Sequence, residues 1–272
     1  MKRLRRCLSI VAVQGDQARS DAVAAPPQPV AAPTDGPVVL ARGLSKRYGE
    51  VRAVEDLTFG LERGTITGFL GPNGAGKTTT LRLLLGFARP TAGEALIFGR
   101  PYRELINPAL MVGAVLESDD FDPGRSGANH LRSLALATGT PLARVQELLE
   151  FVELDAAAAA RPVRTYSLGM RQRLGLAGAL LGDPMLLLLD EPANGLDAAG
   201  VHWLRGFLRQ FAGQGKTVLV SSHLLAEVAQ TVDQVLIINA GRLVATVRID
   251  QLTDGARALE DLYLELTTND AA

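Results

Sequence analysis

The segment TITGFLGPNGAGKTTTLRLLLGF sets a short apolar, β-branched run, a glycine-rich turn and a Leu-rich helical run in direct succession, and this order constrains the fold more than any other feature. A strand that feeds a helix through a tight glycine turn is the opening half of a βαβ unit. The turn reads Gly71-x-x-x-x-Gly76-Lys77-Thr78. Its glycines let successive N–H groups point into one concavity, and the following helix N-terminus adds partial positive charge. Lys77 is spaced to reach the β- and γ-phosphates of a nucleotide, and Thr78 to offer its hydroxyl to Mg²⁺. A lysine at this place implies a polyanion beside it.

From Val38 onward strand-like and helix-like runs alternate. MLLLLD is a buried-strand run, GVHWLRGFLRQFA is amphipathic, and TVLVSS is a strand again. The expected fold is therefore α/β with a mainly parallel sheet core. VLIINAGRLVATV adds an antiparallel β portion, two strand-like pieces around an Ala-Gly turn, and ALEDLYLEL is expected to form a short terminal helix. Between the α/β portions lies a helical subdomain over about residues 118–182. Within it TPLARVQELLEFVEL puts Leu142, Val145, Leu149 and Val152 on one helical face, with Thr140 expected as N-cap and Pro141 in the first turn. The domain reading is a leader over 1–37, a nucleotide-binding domain over 38–250 and a helical tail over 251–272.

The leader begins with a basic and briefly apolar stretch, MKRLRRCLSIVAV, followed by an Ala/Pro tract that cannot bury a core. The apolar run is short and polar residues follow at once, so a disordered leader is expected rather than a signal peptide. The formal net charge is -1, which gives no bulk attraction to nucleic acid or anionic lipid. Cys7 is the only cysteine, which excludes an intramolecular disulfide and a Cys-based zinc site and suits a reducing cytosol. No run approaches the length of a membrane helix, so any membrane role needs another chain to span it.

A polyphosphate site also needs an acid for the metal and a group that handles water. In MLLLLDEPANGLD the strand ends in Asp190, suited to a Mg²⁺-bound water, and Glu191 follows as candidate general base. Neighbours on a strand point to opposite faces, so both can face one site only where the strand ends and twists into a loop. TYSLGMRQRLGLAGALLGDP places Ser167 and Gly169 ahead of another helical run, a second phosphate receptor in the same chain. One nucleotide cannot easily use both. Two chains facing each other could each lend the second receptor to the other's nucleotide.

The order of the Walker A pattern, YSLGMRQR, LLLLDEP, NGLD and SSH resembles the nucleotide-binding subunit of ATP-binding-cassette (ABC) transporters over about Val38 to Thr246. The resemblance implies the P-loop ABC cassette fold, with ATP and Mg²⁺ as ligands. Gly71, Pro72, Asn73, Gly74, Ala75, Gly76, Lys77, Thr78 and Thr79 would cradle the phosphates, and Tyr48 in KRYGEVRAV would stack on adenine. Ser167, Gly169 and Met170 would belong to the signature loop, with Asp197 closing the D-loop that starts at Asn194 and His223 contacting the γ-phosphate. In the signature, Leu168 stands where the family has its first glycine. After MVGAVL the family usually has a glutamine touching Mg²⁺ and the attacking water; this chain has Glu117, expected to join Thr78 and Asp190 as a metal ligand or else to point to solvent or to the permease.

That variation and the LEDLYLELT tail resemble the bacitracin, daunorubicin and lantibiotic export subunits. The implied protein is a cytoplasmic ATPase at the inner face of the membrane. It would dimerise on Mg-ATP, likewise without nucleic acid, and drive a separate integral permease that exports drug, antibiotic or lipid-like compounds. An ATP-gated regulatory or assembly module without transport is the alternative.

Overall fold

The structure, a computed structural model, describes residues 36–116, 121–222, 225–252 and 256–268. The expected leader lies outside these residues except for 36 and 37. β1 (Val39–Tyr48), β2 (Val51–Leu61) and β4 (Ala92–Ile97) form an antiparallel sheet in the order β2-β1-β4. The second sheet runs β5-β6-β7-β3-β8-β9, made of β3 (Ile66–Leu70), β5 (Val112–Val115), β6 (Leu186–Asp190), β7 (Thr217–Ser222), β8 (Gln234–Asn239) and β9 (Arg242–Arg248). All its pairings are parallel except β8 with β9. This is the expected α/β architecture, a mainly parallel core beside an antiparallel portion.

The central strands are buried on both faces, which is why they read as unbroken apolar runs. β6 shows the period of two directly. Leu186 and Leu188 join Phe69, Leu219 and Leu236 in one core, shared with the antiparallel sheet and with α1 (Lys77–Leu84) through Leu81 and Leu84. Leu187 and Leu189 face the other core with Val218, Val220 and Ile237. That core is covered by α3 (Gly127–Thr138), α4 (Ala143–Phe151), α5 (Ala156–Ala160), α6 (Leu168–Ala179) and α7 (Ala198–Ala212). α2 (Pro108–Met111) leads into β5, α8 (Leu225–Ala229) follows β7, and α9 (Ala256–Thr268) packs on α8 and β8.

The N-terminus of α4 differs from expectation. The helix starts at Ala143, and its N-cap position is Leu142, without a side-chain cap bond. The Thr140 hydroxyl instead pairs with that of Thr138 at 2.9 Å. Leu142 is 51% exposed, and Leu148 takes its place beside Val145, Leu149 and Val152 in the core. Prolines restrict the residue before them away from helix, so Thr140 ends the connection and the helix begins later.

β3 lies between β7 and β8, while the strands that follow it in sequence are added first on one side and then on the other. The sheet therefore has its topological switch point at the carboxyl end of β3, where open α/β sheets bind ligands. The hairpin β8–β9 buttresses this place. Its two-residue turn puts Ala240 at φ 46° and Gly241 at φ 82°. Gly241 N–H donates to the Ala75 carbonyl at 3.0 Å, and its own carbonyl accepts from Glu55 N–H at 2.8 Å. Positive φ is costly for alanine but tolerated by asparagine. Ala240 is exposed, so Ala240→Asn is expected to stabilise the chain by about 0.5–1 kcal/mol in urea unfolding. An unchanged or lower midpoint would contradict the turn's strain.

Candidate functional site

The loop from β3 to α1 closes against two strands. A Cβ on Gly71 would lie 2.4 Å from the Ile238 carbonyl oxygen, and one on Gly76 would lie 2.4 Å from that of Ala53. Gly76 also stands at φ 103°, a backbone state closed to most side chains. These contacts fix the loop between β8 and β2. The Lys77 ammonium donates to the Gly71 carbonyl at 2.6 Å and the Pro72 carbonyl at 3.3 Å, and the residue is 7% exposed. The cation is thus folded over the loop's own oxygens, across the mouth of the glycine cradle.

The second half of the site hangs on Asp190, the last residue of β6. Its Oδ2 accepts from the Thr78 hydroxyl at 2.5 Å, and its Oδ1 accepts from the Ser221 hydroxyl on the neighbouring β7. The chain then turns sharply, because Glu191 has φ 48°. The turn carries both carboxylates to one cleft, as the end of the strand required. Glu191 N–H donates to Ser221 Oγ at 2.9 Å, and its carbonyl accepts from Asn194 N–H at 3.1 Å. Gln172 of α6, 7% exposed, reaches the same carbonyl through Nε2 at 3.5 Å, while its Oε1 has no hydrogen-bond partner among the described residues.

The resulting cleft has a volume of about 520 Å³. Asn73, Gly74, Gly76, Lys77, Thr78 and Thr79 line one wall, Asp190, Glu191 and Asn194 another, and Val51, Arg52 and Ala53 of β2 the rim. Leu116, Leu168 and Gln172 complete it. Arg52 brings a second cation, bonded to Glu55 at 2.7 Å, which also pairs with Arg242 at 3.0 Å.

Tyr48, Ser167, Gly169, Met170 and Asp197 are not among the residues that line this cleft. Tyr48 ends β1, is 49% exposed, and has the Lys46 ammonium 4.7 Å from its ring centroid. Ser167 is exposed and caps α6, accepting from Met170 N–H at 3.2 Å. Gly169 does not precede the helix but sits in its first turn, where a Cβ would lie 2.5 Å from the Gly195 carbonyl. The preceding Tyr166 is anchored by its hydroxyl to the Ala158 carbonyl at 2.7 Å, and burial pushes its phenol pKa up. Met170 Sδ faces Arg161 at 3.6 Å, and Asp197 caps α7 by accepting from Gly200 N–H at 2.8 Å. Glu117 and His223 lie outside the described residues. Ser221, Gln172 and Arg52 were not singled out from sequence; the serine pair ending the otherwise apolar TVLV run was the available signal for the first.

A model of the ABC transporter family matches residues 54–194, just over half of the chain. The chain belongs to the ABC transporter family. Among ABC relatives, it is 41% identical over 214 residues to the Nod factor export ATP-binding protein I of Ralstonia nicotianae, covering 77% of this chain and 66% of the relative. It is 39% identical over 218 residues to the bacitracin transport ATP-binding protein BcrA of Enterococcus faecalis, covering 79% and 70%. A solved ATP-binding subunit of an ABC transporter superposes with TM-score 0.74 at 28% identity, over 84% of this chain and 99% of that one. A dimeric ATP-binding cassette in a post-hydrolysis state, bound to ADP and Pi, shares the fold with TM-score 0.70 at 21% identity, over 77% and 98%.

The donor set suits Mg²⁺, which prefers one or two protein carboxylates and completes its shell with phosphate oxygens and water. Thr78 and Asp190 supply a hydroxyl and a carboxylate side by side. Among the described residues there is no group of three His, Cys, Asp or Glu that could hold a metal ion. Lys77→Ala is expected to weaken ATP binding on the order of 10- to 100-fold by calorimetry, because a charged hydrogen-bond donor is lost. Its thermal melt should stay cooperative. Wild-type affinity would remove Lys77 from the phosphate site.

Proposed function

We propose that this chain is the ATP-hydrolysing subunit of an ABC exporter, closing with a second copy over two Mg-ATP and driving a separate membrane permease from the cytoplasmic side. The observation that carries the reading is the convergence of Lys77, Thr78, Asp190 and Glu191 on one cleft. Lys77 leaves the loop carbonyls for the β- and γ-phosphates, and the glycine N–H groups hold the remaining oxygens. Thr78 and Asp190 would hold Mg²⁺, which would supply charge neutralisation at the phosphates. Glu191 takes the proton of the attacking water as the new P–O bond forms and the β–γ bridging bond breaks, giving ADP and phosphate.

Tyr48 stacks on adenine with its exposed ring. His223 and Glu117 take the γ-phosphate and metal contacts that the resemblance implies. Ser167 faces the nucleotide of the partner, with Met170 and Asp197 at the same seam, while Gly169 holds the first turn of α6 against Gly195. In support, Ser167 is solvent-exposed and is not among the residues lining this chain's own cleft. The name of the Nod factor relative supports export, and that of the bacitracin relative supports transport. No described helix is long and apolar enough to cross a membrane, which fits a permease on another chain.

ATP binding closes the pair and product release reopens it, so the chemistry resets a conformational switch. Ser167→Arg separates the two-chain site from a site complete in one chain. Monomer affinity for ATP should stay near wild type, while hydrolysis in a phosphate-release assay is lost. Full activity in this variant would place the entire site within one chain.

A further inference from the structure

We propose that Ser221 is a positioning residue for hydrolysis, its one hydroxyl orienting the Asp190 carboxylate and fixing the Glu191 backbone at once. The proposal rests on the reading of the cleft as an ATPase site. Asp190 and Ser221 are register partners across the parallel pair β6–β7, which puts the hydroxyl level with the carboxylate. Ser221 is fully buried. Its O–H donates to Asp190 Oδ1, and its lone pairs accept the Glu191 N–H at 2.9 Å. A hydroxyl is the small group that can give to a carboxylate and accept from an amide together.

Both bonds bear on the chemistry. The first leaves Oδ2 of Asp190 turned to Thr78, so the metal-facing oxygen is selected by the bond to the other one. The second ties down a residue whose φ of 48° is unfavourable for glutamate and persists only where surrounding contacts over-determine it. Asn194 N–H and Gln172 hold the carbonyl end of the same residue. Glu191 thus stands in a backbone clamp with Ser221 as its N-terminal jaw. Without that jaw the turn can relax, and the candidate base moves relative to the phosphate loop.

The test uses the full chain carrying Ser221→Ala or Ser221→Thr. Alanine removes both bonds, while threonine keeps the hydroxyl. Two readouts are taken beside thermal melts, namely hydrogen exchange at the Glu191 amide and steady-state ATPase kinetics. In Ser221→Ala, exchange at Glu191 should quicken on the order of tenfold with the rest of β6 and β7 unchanged. Its kcat should fall on the order of tenfold or more with KM for ATP held, and Ser221→Thr should restore both. Wild-type exchange and kcat in Ser221→Ala would overturn the proposal. So would a loss of protection spread evenly over β6 and β7, or a natively melting Ser221→Thr that rescues neither readout. Exchange requires no turnover, so a wild-type chain that hydrolyses no ATP would sink the ATPase reading while exchange still decides whether Ser221 holds Glu191.

Discussion

The site depends on one buried carboxylate held between two hydroxyls. Asp190 is 7% exposed, and an ionised group so far from water is costly unless its oxygens are bonded. Thr78 and Ser221 take one oxygen each, and such charge-assisted bonds are worth about 1.5–3 kcal/mol apiece. They belong to α1 and β7, so satisfying Asp190 locks three elements at the carboxyl edge of the sheet. The glycine loop, the Asp190 oxygen turned to Thr78 and the turn at Glu191 take their relative places from that lock.

The apolar architecture makes the lock possible. Leucines alternate across β6 into two separate cores, so the strand cannot slip by one residue without exchanging every side chain between them. Register fixed in this way sets Asp190 opposite Ser221. On the far side of β3, the β8–β9 turn bonds the loop backbone at Ala75, and Gly76 fits under the Ala53 carbonyl for lack of a Cβ. The glycines therefore serve as contact surfaces between strands as well as amides for an anion.

Sequence exposed those parts of the site that are local. The glycine turn, Lys77 and Thr78 lie within a few residues, and the strand run ending in Asp190 and Glu191 announces itself by its leucines. The partners that cross the chain were not legible. Ser221 matters through a register with a strand 31 residues away, and Gln172 through the packing of α6 beside the Glu191 turn. Arg52 lies in no motif, and only the fold of β2 brings it to the cleft. Boundaries slipped for local reasons, since Pro141 delays α4 and the Ser167 cap starts α6 at Leu168, which puts Gly169 in its first turn.

The central claim is that hydrolysis needs two chains, each completing the cleft of the other. Phosphate release per chain, measured with saturating Mg-ATP across a wide range of chain concentration, tests it most directly. The account predicts a rate per chain that rises with concentration and levels off as pairs form. A rate per chain that stays constant down to concentrations where sedimentation shows only monomer would contradict it.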